Sequence, residues 1–107
     1  MKKHLYHVDI TPVANKEGNV PSNAQNIAFD CPCHDELHGL LAKVGTIEGL
    51  SEQESIHLLM GIKMMGEVML EHRNHTLFKD LNRPFGEFMR TFKQQVGQKG
   101  KSEETHQ

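Results

Sequence analysis

The residues best suited to chemistry are two cysteines and two histidines that lie close together, Cys31, Cys33, His34 and His38. Thiolate and imidazole are the ligands that zinc prefers, and four of them in a tetrahedral array form a structural site. The spacing argues against such a site, because cysteines separated by one residue do not splay as a C-x-x-C pair does. The sequence therefore favours a small buried hydrophobic role for Cys31. A zinc-type metal site on these four residues is kept as the alternative.

Nucleophilic chemistry is the second possibility at this place. A thiol near a helix start is more reactive when its surroundings favour the thiolate, and Cys33 stands beside His34 at the start of a predicted helix. No Gly-rich phosphate loop follows a strand, however, and no G-x-S-x-G motif is present. The adjacent acids Asp35 and Glu36 point apart on a helix and suit its dipole better than an acid–base pair. We therefore predict no catalytic residue and no cofactor.

Eight histidines form the most unusual feature of the composition. Protonation of all eight would reverse the formal net charge of −2, so properties near pH ~6 could change. Scattered surface histidines are the interpretation that we prefer. A pH sensor is the alternative.

Length and composition exclude several classes of protein. The 107 residues suffice for one domain, predicted at residues 1–97, followed by a flexible tail at 98–107. With 36% hydrophobic and 24% charged residues, the chain is typical of soluble globular proteins and lacks the basic face of a nucleic-acid binder. No apolar run approaches the ~18 residues that a membrane span needs. Lys2 and Lys3 precede no apolar signal region, and two cysteines make no disulfide framework, so we expect a cytoplasmic protein.

One long helix, predicted from Ser51 to Arg73, organises the other elements. Ser51 and Glu54 have the spacing of a capping box, and Asn74 suits the C-terminal stop. One broad arc of this helix is apolar and is the predicted core face. It consists of Leu58, Leu59, Ile62, Met65, Met69 and Leu70.

A second apolar band on this helix predicts an interface. Met60, Met64 and Val68 recur at i, i+4 and i+8, across a polar stripe from the core face. A helix that is apolar nearly all round is normally buried. The second band should therefore meet another element or another copy of the chain.

The other segments predict a hairpin and two further helices. Apolar residues alternate over His4–Val13 and again over Ala24–Cys31, which indicates two strands. Helical spacing covers Cys33–Gly45 and the stretch from Asn82 to Val96. The predicted fold is α+β, an antiparallel two-stranded hairpin packed on three helices in the order β-β-α-α-α.

Several of these segments resemble a known family. The stretches MGIKMMGEVMLEHRNHTLF and RPFGEFMRTFK, with HLYHVDITPV and HDEL, resemble the uncharacterised bacterial domain-of-unknown-function family 3861. The resemblance implies a compact α+β domain in the bacterial cytoplasm. It implies no activity and no functional residues.

The sequence as a whole predicts a small non-enzymatic module that binds a protein partner, either as a homodimer or in another assembly. The edges of the hairpin and the band of Met60, Met64 and Val68 are its two candidate contact surfaces. We expect no nucleic-acid partner and no membrane partner.

Overall fold

The computed structural model describes the backbone of residues 2–104 and the side chains of residues 2–96. Its elements are β1 (His4–Ile10), β2 (Ile27–Cys33), α1 (Leu37–Val44), α2 (Glu52–Glu71) and α3 (Asn82–Glu104). The predicted α+β fold, with a two-stranded antiparallel sheet followed by three helices, is confirmed. The chain divides into a hairpin unit that ends at Asp35 and a helical unit that begins at Glu36. The single domain expected over residues 1–97 stays a prediction.

The hairpin unit pairs β1 with β2 in antiparallel register, with Val8 opposite Phe29. Burial falls along one face of this sheet, from Cys33, which is 1% exposed, to Ile10 and Ile27, which are both exposed. The opposite face is polar at its centre, where His7 Nδ1 and Asp30 Oδ1 lie 2.9 Å apart. The sheet is therefore two-sided, as the alternation predicts.

The boundary between β2 and α1 differs from the prediction. β2 continues through Pro32 to Cys33, so the helix that we expected to begin at Cys33 begins at Leu37. Proline is tolerated there because β2 is an edge strand of the described sheet. Glu36 is the N-cap of α1, and its carboxylate accepts hydrogen bonds from the backbone N–H groups of His38 and Gly39. Glu36 thus caps α1 from the residue before its first turn, and does not lie within that turn as predicted.

The predicted capping box at the start of α2 is present. The Glu54 backbone N–H donates to Ser51 Oγ at 3.0 Å, and the Ser51 N–H donates to Glu54 Oε1 at 2.9 Å. The hydrogen bond from the Ser51 backbone, and then the one with its side chain, lower the pKa of Glu54 below its ordinary 4.5. The start of α2 is therefore fixed by local chemistry.

Acidic pH should destabilise the capping box at the start of α2. Because the pKa of Glu54 is lowered in the folded chain, its stabilising effect is complete above the unfolded-state pKa and disappears as pH falls through the folded value. Glu54→Gln keeps an acceptor oxygen without a titrating group and should flatten the pH dependence of stability between pH ~5 and ~3. Urea unfolding at the two pH values checks this. Glu52→Gln, at a first-turn acid outside the box, is the control, and equal flattening in both variants would contradict the prediction.

The core of the helical unit is small. Its buried apolar side chains among the described residues are Val44, Leu59, Ile62 and Met69. Ser55 is 3% exposed and joins the α1–α2 connection to α2, because its Oγ accepts from the Ile47 N–H at 2.9 Å. The core is thus confined to the middle of the predicted core face.

The rest of that predicted face is exposed. Leu58, Met65 and Leu70 are 36%, 42% and 50% exposed, so the prediction that they are core is wrong. The physical reason is the way in which α3 meets α2. A Cβ built on Gly66 would lie 3.9 Å from the Phe85 ring, so the two helices touch where Phe85 covers this glycine. Side chains on either side of that contact are left open.

The third helix is attached to the end of the second. Asn82, its first residue, donates through Nδ2 to the Arg73 carbonyl oxygen at 2.9 Å. The helix continues past Val96, where the apolar stripe ends, to Glu104. The flexible tail predicted at 98–107 falls partly on this last stretch and partly outside the described residues, so it stays a prediction. No helix of the described part of the chain has the length and apolar character that crossing a membrane requires.

Candidate functional site

Within the described side chains, two grooves lie between α2 and α3, and Phe85 lines both. Their volumes are about 650 and 610 Å³, and both are lined by Ile62 and Phe85. They share these residues because the helices touch where Phe85 covers Gly66. The two grooves differ in the chemistry of their linings.

The first groove, here called the apolar groove, is lined mainly by hydrophobic side chains. Phe88 on α3 is 44% exposed, and Leu58 and Met65 on α2 are open to a similar degree. Gly61 leaves a further gap, because a Cβ built there would meet no heavy atom within 4 Å. The lining residues are Leu50, Glu54, His57, Leu58, Gly61, Ile62, Met65, Phe85 and Phe88.

The second groove, here called the basic groove, brings four cationic side chains together. They are Lys63, Arg73, Arg90 and Lys93, and Glu67, which is 8% exposed, lies among them. No local sequence pattern reveals this group, because its members come from the middle of α2, from just beyond the end of α2 and from α3. Only the crossing of two helices places them around one groove.

The comparisons with known proteins decide the family. Residues 4–94 match the family model described as a domain of unknown function with a solved structure, DUF3861. This chain belongs to the DUF3861 family. The predicted resemblance is confirmed.

A similar solved structure supports the fold. The chain is similar to a protein of unknown function from Pectobacterium atrosepticum, whose crystal structure was determined at 2.20 Å resolution. The two chains are 29% identical with a TM-score of 0.74, and the match covers 87% of this chain and 99% of the other. The search of curated proteins found no match. The comparisons therefore establish family and fold and leave the function to be argued from the surface.

The predicted interface band of this DUF3861 domain is only partly open. Met60 and Met64 are half-buried, whereas Val68 is 52% exposed. Val68 therefore continues the exposed side of α2 that Leu58 and Met65 begin.

The residues proposed as metal ligands are unlike one another in their surroundings. Cys33 is 1% exposed, Cys31 is half-buried, and His34 and His38 are exposed. Across residues 2–96, whose side chains the structure describes, no group of three or more His, Cys, Asp or Glu side chains is arranged to hold a metal ion. In the described part of the chain, the four residues between positions 31 and 38 are therefore close in sequence but do not form a set of metal ligands.

The contact between Gly66 and Phe85 gives a direct test of how the grooves are formed. A Cβ at Gly66 would make ordinary van der Waals contact with the ring, so Gly66→Ala should be tolerated and should stabilise α2 by up to ~1 kcal/mol. Gly66→Leu should push α3 away from α2 and cost ~1–3 kcal/mol. Urea unfolding measures both, and equal effects of the two substitutions would contradict the contact.

Proposed function

We propose that this DUF3861 domain is a non-enzymatic module that associates with a second copy of itself in the bacterial cytoplasm. The observation that carries the proposal is the apolar groove, whose walls on α2 and α3 expose Leu58, Met65 and Phe88. Contiguous exposed apolar surface of this kind marks protein-interaction sites. Its burial against another chain would be strongly favourable, at ~25 cal/mol per Å² of apolar area.

The extent of the exposed surface favours a helix as the occupant. Leu58 and Val68 lie ten residues apart on α2, about 15 Å along its axis at 1.5 Å per residue. An amphipathic helix that binds in an apolar groove places apolar side chains from several successive turns into it. A single small molecule would not cover a surface of this length.

The ionisable groups of the apolar groove suit recognition better than catalysis. Its titrating side chains are Glu54 and His57, and both residues are exposed. The carboxylate of Glu54 already serves the capping box through Oε1. Catalytic acids and bases more often lie where burial or a charged partner brings their pKa values close to the working pH.

A cytoplasmic setting is supported by the two cysteines. Neither Cys31 nor Cys33 takes part in a disulfide in the described structure. Thiols persist in reducing compartments.

Co-purification of two tagged copies tests the proposal. Two versions of the chain with different affinity tags, expressed together, should be recovered together when either tag is captured. Chelation by EDTA should leave the recovery unchanged, because the proposed contact is apolar. Recovery of the second tag at background level contradicts self-association, and recovery that depends on added zinc favours the metal-binding alternative on Cys31, Cys33, His34 and His38.

A further inference from the structure

Six positions on the exposed side of α2 alternate in spacing between four and three residues. We call this stripe the seam, and it consists of Glu54, Leu58, Gly61, Met65, Val68 and His72. A repeat of 3.5 residues is the spacing at which one helix packs along another. All six residues are exposed, and Val68 is the most open of the three large hydrophobic ones at 52%.

The seam reads the same from both ends. Glu54 is as far from Lys63 in one direction as His72 is in the other. Leu58 corresponds in the same way to Val68, and Gly61 corresponds to Met65. If two copies of α2 lie antiparallel about a two-fold axis at the level of Lys63, each seam residue therefore meets its counterpart on the other copy.

On this basis, and resting on the self-association proposed above, we propose that the occupant of the seam is α2 of a second copy, antiparallel and in this register. Each pairing is complementary. The Glu54 carboxylate meets His72, whose imidazole carries positive charge when protonated. Leu58 meets Val68, apolar against apolar. Met65 meets the gap that Gly61 leaves, where a Cβ would have no neighbour within 4 Å.

The residues beside the seam fit the same register. On one flank are His57, Met64 and Glu71, each one position before a seam residue. Antiparallel packing brings matching flanks together, so His57 faces Glu71 of the other copy and Met64 faces its own counterpart at the two-fold axis. The other flank contains Ile62 and Met69, which are already buried within the helical unit.

A parallel arrangement would be poorer in charge at Glu54 and in size at Gly61 and Met65. It would set Glu54 against Glu54, and like charges in direct opposition are destabilising. It would also set Gly61 against Gly61, which leaves a void between the helices. Met65 would meet Met65, which crowds the contact at that level. Charge and size thus select the antiparallel register.

Thiol cross-linking tests the register directly. In a Cys31→Ser background, where the remaining Cys33 is 1% exposed, Leu58→Cys and Val68→Cys introduce thiols at exposed seam positions. In the proposed dimer, Leu58 lies opposite Val68 of the other copy, whereas the two Leu58 positions are about 15 Å apart along the axis. A short bismaleimide should join the double variant into a covalent dimer and should also join the two single variants when they are mixed.

The single variants alone should give little covalent dimer. Efficient linking of Leu58→Cys to itself would show parallel packing and overturn the inference. Protein that sediments as a dimer without any link between these positions would overturn the inference and leave self-association standing. Protein that sediments as a monomer would overturn both.

A charge exchange provides a second measurement that does not depend on thiols. His57→Glu should weaken the dimer at least tenfold, because it faces the acidic Glu71 of the other copy. Adding Glu71→Lys to the same chain should restore most of that affinity. Failure of the second change to rescue the first would contradict the proposed register.

Discussion

Replacing Gly61 with leucine should abolish the dimer and leave the monomer folded. A Cβ built at this position meets no heavy atom within 4 Å in the chain itself, so the helix has room for a side chain to begin there. In the dimer, however, the same space receives Met65 of the second copy. Overpacking of a fitted contact costs ~1–3 kcal/mol, and the variant carries two such clashes per dimer. We expect the dissociation constant to rise at least ~30-fold.

The matched control for this variant is Gly86→Leu on α3. Gly86 also lies within a helix, and a Cβ built there likewise meets no heavy atom within 4 Å. It lines the basic groove rather than the seam. Both substitutions remove a glycine from a helix and should favour helix by up to ~1 kcal/mol, but only Gly61→Leu should change the sedimenting mass. Loss of the dimer in both variants, or in neither, would contradict the seam.

Replacing Ile62 with lysine should unfold the chain. Ile62 is 6% exposed and lines both grooves beside Phe85, so a charge placed there would be buried without a designated partner. Losing the apolar contacts and burying the charge together should cost ~4 kcal/mol or more. A domain of this size has only ~5–15 kcal/mol of stability in total. Circular dichroism and urea unfolding measure the result.

Met64→Lys is the matched substitution on the same helix. Met64 is half-buried, so a lysine stem can lie on the surface with its ammonium in water. The fold should survive, while two ammonium groups near the two-fold axis should weaken the dimer. If Met64→Lys unfolds the chain as fully as Ile62→Lys does, the band of Met60, Met64 and Val68 belongs to the core and the interface interpretation of that band fails.

The features that sequence predicted correctly depend on neighbours in sequence. The Ser51–Glu54 capping box forms because both partners lie within one helical turn. The two strands were recognisable because alternation at Tyr6, Val8 and Phe29 sets the faces of a hairpin without reference to the rest of the chain. Gly45, at φ 65°, ends α1 as its position suggested.

The features that sequence missed depend on how elements meet. Periodicity assigned Leu58 and Met65 to the core because it treats every apolar residue on one face as equivalent. The contact between Phe85 and Gly66 covers only part of that face, which no local pattern records. The basic groove was missed for the same reason, since Lys63 and Arg90 become neighbours of one groove only through the crossing of α2 and α3.

The start of α1 was misplaced for a different reason. Pro32 and the acids after it resemble a helix entry, but proline also fits an edge strand, and β2 uses it there. Local preferences at such a junction are compatible with both structures. The pairing of Leu5 with Pro32 decides in favour of the strand.

Sedimentation equilibrium of the unmodified chain tests the central claim most directly. Self-association through the seam predicts a mass that approaches twice the 12.2 kDa of one chain as concentration rises into the range of ~10–100 µM. A mass that stays at 12.2 kDa throughout this range would contradict the proposed function and the seam together.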